Sequence, residues 1–202
     1  MQTLAVFAYV SVLNEEEYEA RLSVLPEPIR VRVKKNGAAS LGAWTLFSRM
    51  MKELGVRDLR LSILPQGRPV LAGKGPMFSL SHSGDFALCC VGDGPLGADV
   101  ERLRQPRRSL IRRALSEQER SWLSDQPEET AAFARLWTRK ESLVKACSTG
   151  FDREPSQVQV CPGEPVFYRD ADWFFSEQSF PGAAACVCTL APEEVLWRQA
   201  EL

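Results

Sequence analysis

The chain has a single histidine, His82, and its six cysteines include no pair at C-x-x-C spacing. Cys89/Cys90 and Cys186/Cys188 are too close for two thiolates to share a zinc ion, so metal–thiolate chemistry is set aside. Free cysteines in a reducing cytosol are expected instead. Neither sign of charge is in excess, the formal net charge being −1. A large basic surface for duplex nucleic acid needs surplus Lys and Arg, so no nucleic-acid partner is expected. Long apolar runs are missing too. The first, Leu4 to Leu13, has no basic residues before it and no small-residue cleavage site. It is also too short to cross a bilayer, so it reads as an opening strand, with no membrane partner. What is present is 202 residues, 45% of them hydrophobic. That is enough for a chain to bury its own core, here expected in a cytoplasmic monomer.

The chain repeats itself weakly. Gly67-Arg68-Pro69-Val70 returns as Gly163-Glu164-Pro165-Val166, and Phe78 as Phe174, both at an offset of 96 residues. Two residues later in register, Gly84 through Cys90 returns as Gly182 through Cys188. Both stretches read as a turn feeding a buried strand. An offset near half the chain length predicts two similarly folded subdomains rather than a solenoid. The expected fold is α/β (α+β): residues 1–95 and 96–202 as subdomains related by pseudo-two-fold symmetry, each a small, mostly antiparallel sheet packed with helices. Strands are predicted near 3–13, 58–64, 77–81, 85–91, 96–100, 156–161, 165–168, 172–176 and 183–190. Helices are predicted over 40–54, where Leu41, Trp44, Phe47, Met51 and Leu54 recur at helical spacing before Gly55, and near 107–123 and 127–147. No Ser- or Pro-rich linker separates the halves, so a ligand is expected in the cleft between them.

Several short motifs fail on context. Gly92-x-Gly94-x-x-Gly97 contains Pro95 and leads into a strand, so it lacks the helix N-terminus that would hold a pyrophosphate. The run from Gly67 to Gly75 is one residue too long for a P-loop and ends in glycine where Ser or Thr should stand. Ser81, His82 and Ser83 lack the strand–turn–helix setting of a nucleophile elbow.

Three segments survive. Asp99-Val100-Glu101 sets two carboxylates on one face of a strand, a platform for a hard cation, although a solvated acidic face would read the same. In Trp137-Thr138-Arg139-Lys140-Glu141-Ser142-Leu143-Val144-Lys145, Glu141 and Lys145 lie one helical turn apart. They form either a surface ion pair or a third metal ligand beside a phosphate-binding cation. Trp137, Phe133 and Val144 are read as that helix's core stripe. Phe78-Ser79-Leu80-Ser81-His82-Ser83-Gly84 brings hydroxyls, turn amides and an imidazole together, a set suited to phosphate oxygens.

Taken in order, Gly67-Arg68-Pro69, Phe78 to Ser83, Gly97-Ala98-Asp99-Val100-Glu101 and Trp137 to Ser142 with Lys145 resemble the two-domain phosphopantetheinyl transferases, the type that activates surfactin synthetase. The resemblance implies transfer of the 4'-phosphopantetheine arm of coenzyme A to a serine of an apo acyl or peptidyl carrier protein, releasing adenosine 3',5'-bisphosphate. It implies that Asp99, Glu101 and Glu141 hold magnesium, with manganese as the alternative. Glu141, or a water beside it, takes the serine proton. Ser79, Ser81 and His82 contact the phosphates of coenzyme A, Lys145 the pyrophosphate, and Gly67-Arg68-Pro69 the adenine side, Arg68 standing where the family usually has lysine. The family's usual arginine before the first-half helix is absent from Asn36-Gly37-Ala38-Ala39-Ser40, leaving Arg30, Arg32, Lys34 and Lys35 as nearby charge.

Arg102, Arg104, Arg107, Arg108, Arg112 and Arg113 crowd a segment without an acidic residue. That strip is expected to dock an acidic carrier protein. Two rivals stand beside the transferase: a metal-dependent hydrolase of the coenzyme A pyrophosphate, and a non-catalytic carrier-binding relative.

Overall fold

The computed structural model describes residues 1–33, 37–163 and 165–202. Lys34 and Lys35, left as nearby charge where the family's arginine is missing, Asn36 of that stretch, and Glu164 of the internal echo fall outside the described residues.

The first half runs β1 (Leu4–Tyr9), α1 (Glu15–Ser23), α2 (Glu27–Arg30), α3 (Ala38–Glu53), β2 (Leu61–Ile63), β3 (Pro69–Leu71), β4 (Met77–Ser83) and β5 (Phe86–Gly92). The second runs β6 (Leu96–Arg102), α4 (Arg108–Ala114), α5 (Glu117–Ser124), α6 (Glu129–Ala146), β7 (Val166–Tyr168), β8 (Ala171–Phe180), β9 (Ala183–Thr189) and β10 (Leu196–Ala200). Two four-stranded sheets result, in the orders β10-β1-β5-β4 and β6-β9-β8-β7. β1, β5 and β4 pair antiparallel in turn, and so do β6, β9 and β8. The two trios therefore share one order and one sense, each with a long helix, α3 or α6, against it. The sequence echo falls on this doubling: Phe78 lies in β4 and Phe174 in β8, while the Gly84 and Gly182 turns lead into β5 and β9. Both glycines hold positive φ in those turns.

The layers are helix, sheet, sheet, helix. Ala87, Cys89 and Val91 of β5 face a core with Leu41, Phe47 and Met51 of α3. The alternate residues Phe86, Leu88 and Cys90 face a central core with Ala5, Phe7, Leu96, Ala98, Val100 and Val187. β5 thus reads as a continuous apolar run because both its faces are covered. A third core gathers Phe133, Leu136 and Leu143 of α6 with Val158, Val160 and Trp173. All six cysteines are free, four of them buried in β5 and β9.

Four local expectations change. The opening strand ends at Tyr9, because Asn14 caps α1 through a reciprocal bond with Glu17. The helix expected near 107–123 divides in two, because Ser116 and Glu119 form a capping box that starts α5 afresh. No strand forms at 156–161; a short 3-10 turn covers 155–157, and Val158 and Val160 are buried without strand partners among the described residues. β3 and β10 were not anticipated, and β10 pairs parallel with β1, so the chain's last strand joins the first half's sheet.

Candidate active site

The alternation of β6 determines which of its residues reach the site. Leu96, Ala98 and Val100 point into the central core, so Gly97, Asp99 and Glu101 point the other way, toward α6. A Cβ on Gly97 would lie 2.0 Å from the Ser142 carbonyl oxygen and 2.4 Å from the Ala146 nitrogen. Only glycine lets the α6 backbone press this close to the strand. That approach brings Lys145 onto Asp99: Lys145 Nζ donates to Asp99 Oδ1 at 2.6 Å and to the Ala98 carbonyl at 3.1 Å.

Between the halves, β4 and β6 meet edge to edge through a row of serines. Ser79 Oγ accepts from the Ala98 N–H at 2.9 Å, and Ser81 Oγ donates to Asp99 Oδ1 at 2.6 Å. Ser83 Oγ accepts from the Arg102 N–H at 3.2 Å. The period-two spacing of these serines on a strand is what aims all three at the neighbouring edge. Asp99 does not lie on a solvated face: it is buried, with Ser81 and Lys145 as its partners.

A cleft of about 260 Å³ opens along this seam. It is lined by Gly67 and Arg68 from the turn before β3, Pro69 at the start of β3, Ser79 from β4, and Glu141 and Lys145 from α6, with Val144 and Phe151 as apolar wall. Six of the residues singled out in the sequence are thus gathered in one cavity. Asp99 adjoins it through Lys145. Glu101 is turned instead into a neighbouring groove of about 680 Å³ and meets Arg104 at 3.1 Å. His82 is exposed at the end of β4 and is not among the cleft's lining residues, and neither are the exposed Arg30 and Arg32.

Charge within the site is unbalanced. Burial and the nearby Asp99 and Glu101 charges push Glu141 up to about 7, against a weaker opposing pull from Lys145. Burial also raises Glu101, which the Ser83 hydroxyl and Arg104 partly offset. Among the described residues, no three His, Cys, Asp or Glu side chains are gathered tightly enough to hold a metal ion. The donor set nevertheless fits a hard cation in kind: three carboxylates whose negative charges act on one another in a half-buried setting, where a divalent ion is the natural counter-charge.

Sequence reasoning missed two side chains that shape this site. Lys140, next to Glu141, points away from the cleft and is fully buried with Glu119, its Nζ 2.7 Å from both carboxylate oxygens. Glu119 also accepts from the Val160 and Ser116 N–H groups. The Ser116-x-x-Glu119 spacing marks the cap, but nothing local marks the lysine. Arg68, read as a charge for the nucleotide, has both terminal nitrogens engaged by the protein itself.

Residues 95–189 match the family model described as the 4'-phosphopantetheinyl transferase superfamily. That match to the superfamily covers just under half of the chain. It is 44% identical over 87 residues to the 4'-phosphopantetheinyl transferase AcpT of Salmonella typhimurium, a match covering 40% of this chain and 45% of that one. It is 32% identical over 96 residues to Sfp of Bacillus subtilis, covering 46% and 43%, which supports the Sfp-like type. With HetI of Nostoc it shares 36% over 111 residues, covering 50% and 47%. The chain thus spans about half the length of the curated relatives it matches. Among solved structures, the holo-[acyl-carrier-protein] synthase of Thermotoga maritima aligns at a TM-score of 0.38 and 18% identity, over 48% of this chain and 62% of that one. No helix among the described residues is long and apolar enough to cross a membrane.

Proposed function

We propose that this chain transfers the 4'-phosphopantetheine arm of coenzyme A to the serine hydroxyl of an apo acyl or peptidyl carrier protein, releasing adenosine 3',5'-bisphosphate. The observation that carries the reading is the cleft in which Glu141 and Lys145 face the Gly67–Pro69 turn across the seam, with Asp99 held by Lys145. The adenosine end of coenzyme A lies against the turn and the apolar wall. The pyrophosphate lies toward Lys145, whose ammonium is fixed near Asp99 and offsets charge that grows on the phosphate oxygens. Ser81 takes part by orienting Asp99. His82, exposed at the end of β4 outside the cleft lining, would meet phosphate only from the solvent side.

The carrier serine oxygen attacks the phosphorus bonded to the pantetheine oxygen. The bond from that phosphorus to the bridging oxygen breaks, and the adenosine bisphosphate leaves with its electrons. The serine proton passes to Glu141 or to a water beside it. Without a bound cation, burial and the neighbouring Asp99 charge hold Glu141 at about 7, and a cation on the same carboxylates would lower that value and keep the group ionised. Asp99, Glu101 and Glu141 would hold magnesium, or manganese in its place, which when bound supplies Lewis-acid stabilisation of the pyrophosphate oxygens. Transfers of this kind rest on positioning and electrostatics more than on covalent help from the protein.

The carrier docks on the groove beside Glu101, whose rim holds Arg102, Arg104, Arg107 and Arg113 and whose floor holds Leu110 and Trp137. The test incubates the protein with coenzyme A, magnesium and apo carrier proteins and reads intact mass. Gain of one phosphopantetheinyl group on the carrier is expected. Coenzyme A cleavage without carrier modification would move the reading to a hydrolase, and carrier binding with neither change would move it to a non-catalytic relative.

A further inference from the structure

Arg68 sits where α6 ends, β4 passes and β6 begins. Its Nη1 donates to the Lys145 and Ala146 carbonyls, the latter at 3.3 Å, and to Ser148 Oγ at 2.9 Å. Its Nη2 donates to the Phe78 carbonyl at 3.0 Å and the Leu96 carbonyl at 2.9 Å. One guanidinium therefore ties the last turn of the catalytic helix to one strand from each sheet. The helix end needs such a tie. Ser148 is held at φ +56°, a left-handed conformation that a non-glycine residue adopts only when its surroundings enforce it. The carbonyls of a helix's final turn also lack partners within the helix.

Resting on the function proposed above, we infer that Arg68 is a positioning residue, a clamp that fixes the C-terminal turn of α6 against both sheets and so sets Lys145 over the cleft, rather than a grip on the nucleotide. The geometry explains the arginine. Five acceptors surround two terminal nitrogens that carry four N–H groups in a fixed plane. A lysine ammonium has three N–H groups and no fork, so it could serve a phosphate but could not span β4, β6 and α6 together. Removal of the clamp would let Lys145 drift from Asp99, and sub-ångström placement of such a group governs turnover more than affinity.

The full chain and its Arg68→Lys variant separate the two roles. Hydrogen exchange without substrates reads the amides of Cys147, Ser148 and Thr149, which close the last turn of α6. They are expected to exchange at least about tenfold faster in Arg68→Lys, the opening of a tethered terminus. In transfer assays kcat is expected to fall about tenfold or more, with KM for coenzyme A within about threefold. Unchanged exchange overturns the clamp, as does a KM raised about tenfold with kcat retained, since a phosphate grip would behave in that way. Arg68→Gln, planar but uncharged, is expected to speed exchange as well. Collapse of the far-ultraviolet circular dichroism in both variants would make Arg68 a residue of the whole fold and overturn the local assignment. The exchange arm needs no substrate, so it still decides the matter if the proposed transfer itself fails.

Discussion

The two halves share a frame of three antiparallel strands and one long helix, yet they use it differently. In the first half, α3 packs Leu41, Phe47, Met50 and Met51 into the core it shares with β5. In the second, α6 buries Thr138, Arg139, Lys140 and Ser142 among its apolar residues and carries Glu141 and Lys145 at the cleft. The strands differ in step. β1 is flanked by β5 and β10 inside its sheet, whereas β6 is an edge that presents Asp99 and Glu101. One copy of the unit stays apolar and steadies the molecule. The other gives up part of its apolar packing for charge, and its polar groups must be held by specific partners rather than by area alone.

The largest effect expected from this contrast is on chemistry. Asp99→Asn keeps the shape and an acceptor for Ser81 and Lys145 but removes the charge that faces Lys145 and any bound cation. Transfer is expected to fall by about three orders of magnitude, roughly 4 kcal/mol of transition-state stabilisation. Stability should drop by less than about 2 kcal/mol, because the Ser81 and Lys145 donors both keep an acceptor and lose only its charge. Steady-state assays and urea unfolding read the two quantities. More than a tenth of wild-type transfer with magnesium still required would remove Asp99 from the site.

The next effect is on stability and comes from the anchor unique to α6. Glu119→Gln leaves the Lys140 ammonium buried with only the Pro155 and Val158 carbonyls and one amide. Stranding a buried charge costs about 3–5 kcal/mol. The double variant Glu119→Leu with Lys140→Met removes both charges and is expected to lose less than Glu119→Gln alone, as apolar replacements of buried pairs usually do. A double variant as unstable as the single one would mean that the hydrogen bonds to 155–160, not charge pairing, hold α6 in place.

How far the sequence carried this picture follows the same division. The apolar face of α3 was legible because core packing leaves a 3.6-residue pattern. The doubling was legible because β5 and β9 kept similar apolar strings. The strands and helix that carry Asp99, Glu101, Glu141 and Lys145 were placed as well, since their motifs sit inside regular elements. Long-range ties were not legible. Nothing near Arg68 in the sequence announces acceptors 10, 28 and 77 residues away, and nothing near Lys140 announces Glu119 across a 21-residue gap. β10 was missed for a related reason: a short parallel strand is defined by its partner β1, nearly the whole chain away, rather than by its own pattern. The sequence does not show that the Ser79 and Ser81 hydroxyls also bond β6, since a hydroxyl's partner depends on which edge it meets; Ser79 lines the cleft as well.

The smallest effect is the one that compares the halves most directly, through the glycine at each helix–sheet contact. At Gly97 an added methyl meets backbone, the Ser142 oxygen at 2.0 Å and the Ala146 nitrogen at 2.4 Å. Backbone cannot rotate aside, so Gly97→Ala must push α6 off β6. A loss of about 1–3 kcal/mol is expected, as for other overpacked sites, with transfer reduced because Lys145 leaves Asp99. At Gly42, within α3, the added methyl meets side chains only: Val10 at 2.6 Å, Leu202 at 3.0 Å and Ala87 at 3.2 Å. Leu202 can change rotamer and Val10 must shift by a few tenths of an ångström, a cost set against the up to about 1 kcal/mol that alanine gains over glycine in a helix interior. Gly42→Ala should therefore stay within about 1 kcal/mol of the parent and leave transfer untouched. Thermal unfolding of the two variants side by side tests whether the second half's contact is set by backbone and the first half's by side chains. Equal losses in both would mean that the halves press their helices home in the same way, and that the tight contact at Gly97 is a property of the frame rather than of the site.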